Sequence, residues 1–259
     1  MSTLAGKRAL ITGASGGVGR AIAIELACRG VDSVVLARSP EALEETAQAV
    51  RADGRNAIPV VGDVTSEADR SRALTVAKDQ LGGLDLLVNN AGIGAHGRFH
   101  EASADRLRSL FEVNLFAAAE LTREALPLLR ESKAACVANV GSVLAWRGVC
   151  HKSEYSATKF ALRGWSESIR PELAKLGIHV LHASPSTIAT DFRANLVEQL
   201  DSAPRETRRG VTPQRVAKRI ADGIERRRNE VAIAWEDWAI VRAARLFPSV
   251  LDRWLKRQG

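Results

Sequence analysis

The stretch "KSEYSATKFALRGW", residues 152–165, holds the only tyrosine in 259 residues, and Lys159 follows Tyr155 by four positions. On a helix, residues at i and i+4 share one face, so this phenol and this ammonium meet the same pocket. A neighbouring cation favours phenolate, which draws a tyrosine pKa down from its usual value of about 10. The pair is therefore a candidate for moving a proton near neutral pH. A four-residue spacing is common in any sequence, so the pair needs support from elsewhere in the chain.

Support comes first from "TGASGGVGRAIAIELACRG", which begins at Thr12 and places Gly13, Gly17 and Gly19 between an apolar run and a helical one. Glycines at a strand-to-helix turn let backbone amides approach a pyrophosphate, and the helix N-terminus favours its charge. The second apolar run ends "VVLARSPEAL", so the place where a ribose-binding acid would stand is Ala37 followed by Arg38. A guanidinium there suits a 2′-phosphate, with Ser15 as a second contact. NADP(H) is the preferred dinucleotide and NAD(H) the alternative.

These residues need a frame that holds them. Seven short apolar runs, at 8–12, 33–37, 57–61, 84–89, 135–140, 178–183 and 230–235, alternate with segments of helical period. Strands separated by helices imply an α/β fold: one Rossmann-type, doubly wound domain over residues 1–235, with a seven-stranded parallel sheet flanked by helices. Residues 236–259 read as an amphipathic, basic helical extension of that domain. Gly54, Gly82 and Gly177 stand where left-handed helix caps belong. Pro171 falls inside the helix that opens near Tyr155 and predicts a kink or break there.

The net charge of +7 is uneven. Residues 205–259 carry 14 Lys/Arg against 7 Asp/Glu, whereas residues 1–204 carry 23 of each. Three scattered cysteines, Cys28, Cys136 and Cys150, without a CxxC, argue against a disulfide framework and a zinc site, so no metal is expected. The opening residues lack the apolar run of a signal peptide, and nothing approaches a spanning helix. A cytoplasmic protein is the expectation.

The motifs together resemble the classical short-chain dehydrogenase/reductase family from residue 7 to about 192. They are "TGASGGVG" (12–19), "GDV" (62–64), "NNAG" (89–92), Asn114 in "FEVNLF", Ser142 thirteen residues before Tyr155, Lys159, and "PSTIAT" (185–190). The resemblance implies an oxidoreductase that interconverts a carbonyl, ketone or aldehyde, and an alcohol. It implies Tyr155 as general acid or base, with Lys159 lowering its pKa and binding the nicotinamide ribose. Ser142 would hold the substrate oxygen, and Asn114 would support a water-borne proton relay. It further implies cofactor contacts from Gly13, Ser15, Gly17, Val18, Gly19, Arg38, Asp63, Val64, Asn90, Ala91, Gly92, Tyr155, Lys159, Pro185, Ile188 and Thr190, with Asn89 shaping the cleft. Ser186 departs from the family's usual glycine, which puts the loop over the nicotinamide in doubt. A homo-oligomer, dimer or tetramer, is also implied.

The substrate is not named by these motifs. Phe99, Trp146, Val149 and Leu196 suggest an apolar lining, with His96, Arg147 and His151 available to a polar group. A lipophilic small-molecule carbonyl fits that set. In the extension, Ile240, Ala244, Phe247, Leu251 and Trp254 recur opposite Arg242, Arg245, Arg253 and Lys256. This pattern fits either docking on its own domain or subunit, or a peripheral membrane contact. No nucleic-acid module accompanies the basic charge, which excludes nucleic acid as a partner. The alternative to an enzyme is a dinucleotide-sensing binding protein with little turnover, which the presence of both Tyr155 and Lys159 disfavours.

Overall fold

The computed structural model describes residues 3–186, 188, 196–199 and 210–233. The elements run β1 (Arg8–Thr12), α1 (Gly17–Cys28), β2 (Asp32–Ala37), α2 (Pro40–Ala52), β3 (Ala57–Val61), α3 (Glu67–Leu81) and β4 (Leu86–Asn89). Then come β5 (Gly94–His96), α4 (Ala104–Phe111), α5 (Ala117–Arg130), β6 (Cys136–Val140), α6 (Ser153–Ala174), β7 (His179–Ser184), β8 (Leu196–Gln199), α7 (Pro213–Glu225) and β9 (Glu230–Ala232). Seven strands form one sheet in the order β3-β2-β1-β4-β6-β7-β9, every pair parallel. The seven expected strands are these seven, with ends shifted by a residue or two; residues 234 and 235 lie outside the described residues.

Side chains alternate across a strand, so each strand feeds two cores. Ile11, Val35, Val88, Ala138 and Leu181 pack with α1, α2 and α7 on one face. Leu10, Val34, Leu36, Leu87, Val137 and Val180 pack with α3 and α5 on the other, where Leu173 of α6 joins them. The strand order reverses between β1 and β4, and a crevice opens beyond the carboxyl ends of parallel strands at such a point. A small second sheet pairs β5 with β8.

Gly54, Gly82 and Gly177 all take positive φ, 74°, 77° and 78°, as caps should. Pro171 does not break its helix: α6 runs unbroken over 22 residues. The proline stands in the last turn, and burial of Leu173 just beyond it holds that turn on the sheet.

Candidate active site

The glycine turn is held from β4. Asn90 Nδ2 donates to the carbonyls of Thr12, at 2.9 Å, and Gly13, at 3.2 Å, while the amides of Asn90 and Ala91 both donate to Thr12 Oγ1 at 3.0 Å. Gly13 has φ 64°, and a Cβ there would stand 2.8 Å from Ala91 Cα. A Cβ on Gly19 would strike the Gly13 carbonyl and lie 2.6 Å from Asn90 Nδ2. The first turn of α1 thus presses against the loop with no room for a side chain, and Gly17, with φ 53°, opens the helix. Val18 packs against the core from this turn, and Ser15 is half-buried beside it. This cradle of amides at a helix N-terminus fits a dinucleotide pyrophosphate.

Around the cradle, Arg38 is exposed just past the end of β2 and makes no hydrogen bond or ion pair among the described residues. Asp63 Oδ1 accepts from the amide of Thr65 at 2.9 Å and from its hydroxyl at 2.8 Å, which fixes the turn that carries Val64. Arg70, which the sequence reading passed over, holds the same turn by donating to the carbonyls of Val64 and Thr65, at 3.0 and 3.1 Å. Asn89 does not shape the cleft: it is buried on the α5 side, where Nδ2 donates to Thr122 Oγ1 and Asn139 Oδ1. Strand alternation explains the correction, because Asn89 and Asn90 point to opposite sides. Pro185 and Ile188 lie at the carboxyl end of β7, where the Pro185 carbonyl accepts from the amide of Val143, 2.9 Å away. Thr190 lies outside the described residues.

Three elements bring Ser142, Tyr155, Lys159 and Asn114 together. Ser142 follows β6 and caps a short 3-10 turn, its Oγ accepting from the amide of Leu144 at 3.1 Å. Tyr155 and Lys159 stand on α6, with Lys159 Nζ 5.6 Å from the phenol ring centroid and 3.2 Å from the carbonyl of Val140, to which it donates. The Ser142 hydroxyl stands close enough to the Tyr155 phenol to draw its pKa down. Asn114 stands in a π turn, Glu112–Phe116, between α4 and α5. Its Oδ1 accepts from the amide of Ile93 at 2.9 Å, and Nδ2 donates to the Ile93 carbonyl and to Thr158 Oγ1. A Cβ on Gly92 would lie 3.1 Å from Asn114 Oδ1 and 3.7 Å from Lys159 Nζ, so the "NNAG" turn, the π turn and α6 converge.

Electrostatics in this pocket run against the simplest expectation. Burial pushes the Tyr155 phenol up to about 12, against a smaller downward pull from its hydrogen bond to Ser142. Burial pushes Lys159 down to about 8. With protein groups alone, desolvation outweighs the cation that was expected to favour phenolate. At neutral pH Tyr155 therefore keeps its proton, the form a general acid requires.

The proposed lining is only partly assembled. Phe99 is 74% exposed and points to solvent. Trp146 is turned toward the protein: its ring stacks on Arg163, 3.3 Å from the guanidinium carbon to the ring centroid, and Nε1 donates to Ser184 Oγ at 3.0 Å. Leu196 opens β8 opposite Gly94, beside the site entrance strand that ends in His96. His151 takes φ 63° and its carbonyl accepts from the amide of Gly97, joining the two loops near the entrance. Arg147 and Val149 lie half-buried in the same segment. Ser186 has no positive φ, so its side chain is accommodated without backbone strain. A buried ion pair, Arg106–Glu154 at 2.6 Å, and Thr158 were not anticipated; the first had no local sequence signal, while Thr158 lies directly before Lys159.

Comparison with known proteins agrees with this geometry. The short chain dehydrogenase family model matches residues 7–201. The chain is 36% identical over 234 residues to the ketoacyl reductase HetN of a Nostoc species, covering 90% of this chain and 80% of that protein. It is 32% identical over 254 residues to an uncharacterised oxidoreductase, YxnA, of Bacillus subtilis, covering 96% and 71%. A short-chain dehydrogenase/reductase from Caenorhabditis elegans, solved with cofactor, superposes with a TM-score of 0.77 at 28% identity, covering 87% of this chain and 90% of that one. With the glycine cradle, the serine, the tyrosine and the lysine each in its place on a seven-stranded parallel sheet, the chain belongs to the short-chain dehydrogenase/reductase family of oxidoreductases.

Proposed function

We propose that the protein reduces a ketone or aldehyde on a lipophilic molecule, with NADP(H) as its dinucleotide and Tyr155 as the general acid. The observation that carries this reading is the convergence of Ser142, Tyr155 and Lys159, with the serine close enough to lower the phenol's pKa and the last two on one face of α6. The bound dinucleotide supplies the hydride. Tyr155 Oη donates its proton to the substrate oxygen as charge develops there, and Ser142 Oγ donates a hydrogen bond to the same atom. Lys159 Nζ, anchored on the Val140 carbonyl, stabilises the phenolate that remains. The π turn at Asn114 departs from the ordinary helical bonding ladder, a local irregularity that supports a part for Asn114 in a water-borne relay from Lys159.

Arg38 supports NADP(H): an exposed guanidinium without a partner among the described residues stands where an acid would otherwise select ribose hydroxyls. The name of the Nostoc relative, a ketoacyl reductase, supports a carbonyl on an acyl chain as substrate class. The test is NADPH oxidation across ketones and aldehydes that run from short polar to long-chain and polycyclic, with NADH in parallel. Turnover should rise with chain length or ring count, prefer NADPH, and lose that preference in Arg38→Asp. Tyr155→Phe should lose on the order of 10²–10⁴-fold in kcat while it binds NADPH as the parent does. Comparable turnover in Tyr155→Phe overturns the reading.

A further inference from the structure

One buried titratable residue near the site has no part in this mechanism. His182, in β7, is fully buried on the face that carries α6, and Lys159, Arg163 and Arg170 of that helix all depress its basicity. Burial and those three cations hold it neutral, with a pKa of about 3. Its Nδ1 lies 3.3 Å from Ser184 Oγ, which itself accepts from Trp146 Nε1 at 3.0 Å. Indole only donates, so the serine hydroxyl is free to donate onward to Nδ1, which places the histidine proton on Nε2. That Nε2 is buried without a hydrogen-bond partner. An unpaired buried nitrogen is a standing cost that an apolar side chain would not carry.

What Nε2 does touch is Gly141. A Cβ at residue 141 would collide with Nε2 and lie 2.7 Å from Cε1, with the Ala183 carbonyl oxygen a looser third contact at 3.1 Å, although Gly141 has no positive φ to explain a glycine. The ring occupies the space that any other residue would need. Ser142 is bracketed by two backbone bonds to the same stretch, Gly141 N–H to the Ala183 carbonyl at 2.8 Å and Val143 N–H to the Pro185 carbonyl at 2.9 Å. Trp146 ends the 3-10 turn that Ser142 caps, and its indole returns to Ser184. The chain Trp146–Ser184–His182 therefore closes a ring around Ser142, with the imidazole wedged behind it.

We infer that His182 is a positioning residue, which acts through Gly141 to set the depth of Ser142 against the substrate oxygen. The inference rests on the reductase reading, because its effect is on the step that Ser142 serves. It commits to a specific coupling: the His182 ring is the main obstacle to a Cβ at residue 141, ahead of the Ala183 carbonyl.

The experiment compares Gly141→Ala, His182→Ala and the double variant for kcat, substrate KM and NADPH Kd, with Ser184→Ala as a variant that keeps the packing and removes both hydrogen bonds of the link, to Trp146 and to His182. A serine displaced by the order of an ångström costs about 10²-fold in rate. Gly141→Ala should therefore fall about 10²-fold in kcat with NADPH Kd unchanged, and the double variant should regain about tenfold over Gly141→Ala. Ser184→Ala should lower kcat several-fold and leave NADPH Kd alone. A Gly141→Ala protein with parental kcat, or a double variant no better than Gly141→Ala, overturns the inference. Tyr155→Phe, run alongside, separates the two failures: if it is inactive while Gly141→Ala is not, only the positioning role falls, and if it is active the reductase reading falls and takes this inference with it.

Discussion

Lys159 is 4% exposed and has no carboxylate within ion-pair distance among the described residues, so the fold carries a charge that water would hold better. The sign follows from its pKa, about 8 in the folded protein against 10.5 for the ordinary side chain. Between those values the unfolded chain binds more protons, so stability rises with pH across that window, and the full penalty applies below it. Tyr155 acts in the opposite sense: with its phenol at about 12, stability falls as pH rises from 10 through 12. Lys159→Met should therefore stabilise the protein by about 2–3 kcal/mol at neutral pH while abolishing turnover. In urea denaturation the gain should shrink from pH 8 upward and vanish above 10.5; a destabilised variant at neutral pH would contradict it. The Tyr155–Lys159 pair was legible as a site because of the spacing. The balance of charge and burial was not, because desolvation depends on what packs above the pair rather than on the pair itself.

The helical segments that carry Asn114 and the Tyr155–Lys159 pair are fastened to each other twice. Asn114 of the π turn bonds to Thr158 of α6, and Arg106 of α4 pairs with Glu154, next to Tyr155. The ion pair is almost wholly buried, Arg106 at 1% and Glu154 at 6% exposure, and a hydrogen bond from the Ser153 hydroxyl, together with Arg106, holds Glu154 below the usual carboxylate range despite burial. Removing one partner of such a pair strands the other charge. Glu154→Leu should cost about 3 kcal/mol in unfolding free energy, and Arg106→Met with Glu154→Leu should recover most of it. Equal losses in the single and double variants would show that packing, not charge, is what the pair supplies. At this scale the sequence was readable where period decides: strands, helices and caps followed from apolar spacing and glycine. It was silent on the π turn, because Asn114 sits in an unbroken helical pattern and the extra residue in the turn is fixed by contacts with Ile93 and Thr158, far away in the chain. Pro171 misled for the converse reason, since burial of its neighbour outweighs one lost hydrogen bond.

Across the molecule, Arg29 ties the beginning to the end. Its guanidinium reaches Glu25 on α1 at 2.6 Å, and Asp222 and Glu225 on α7 at 2.7 and 3.0 Å, and Glu225 also accepts from the amide of Thr3. The partners are a quarter or more exposed, so solvent screens part of the attraction. Arg29→Met should cost about 1–2 kcal/mol, with the loss smaller in high salt and the first loss of amide protection falling in α7. Protection lost evenly over the whole chain would refute a local clamp. Part of the acidic charge in the basic final quarter is thus spent within the fold, while the extension from residue 236 onward lies outside the described residues. Among the described residues no helix is long and apolar enough to cross a membrane. The fold class and the seven parallel strands could be reached from sequence because βαβ connections leave few topologies, whereas the strand order came from the structure.

The strand order also has a consequence for how the protein is made. β1, β2, β3 and β4 are contiguous in the sheet and complete by Asn89, and each later strand of that sheet, β6, then β7, then β9, joins the newest edge in the order of translation. A chain that leaves the ribosome from its N-terminus can therefore extend its sheet at one edge without inserting a strand between two already paired. The glycine cradle is within reach of its β4 support before Tyr155 has been synthesised, so the nascent protein acquires the means to hold a nucleotide before the means to use it.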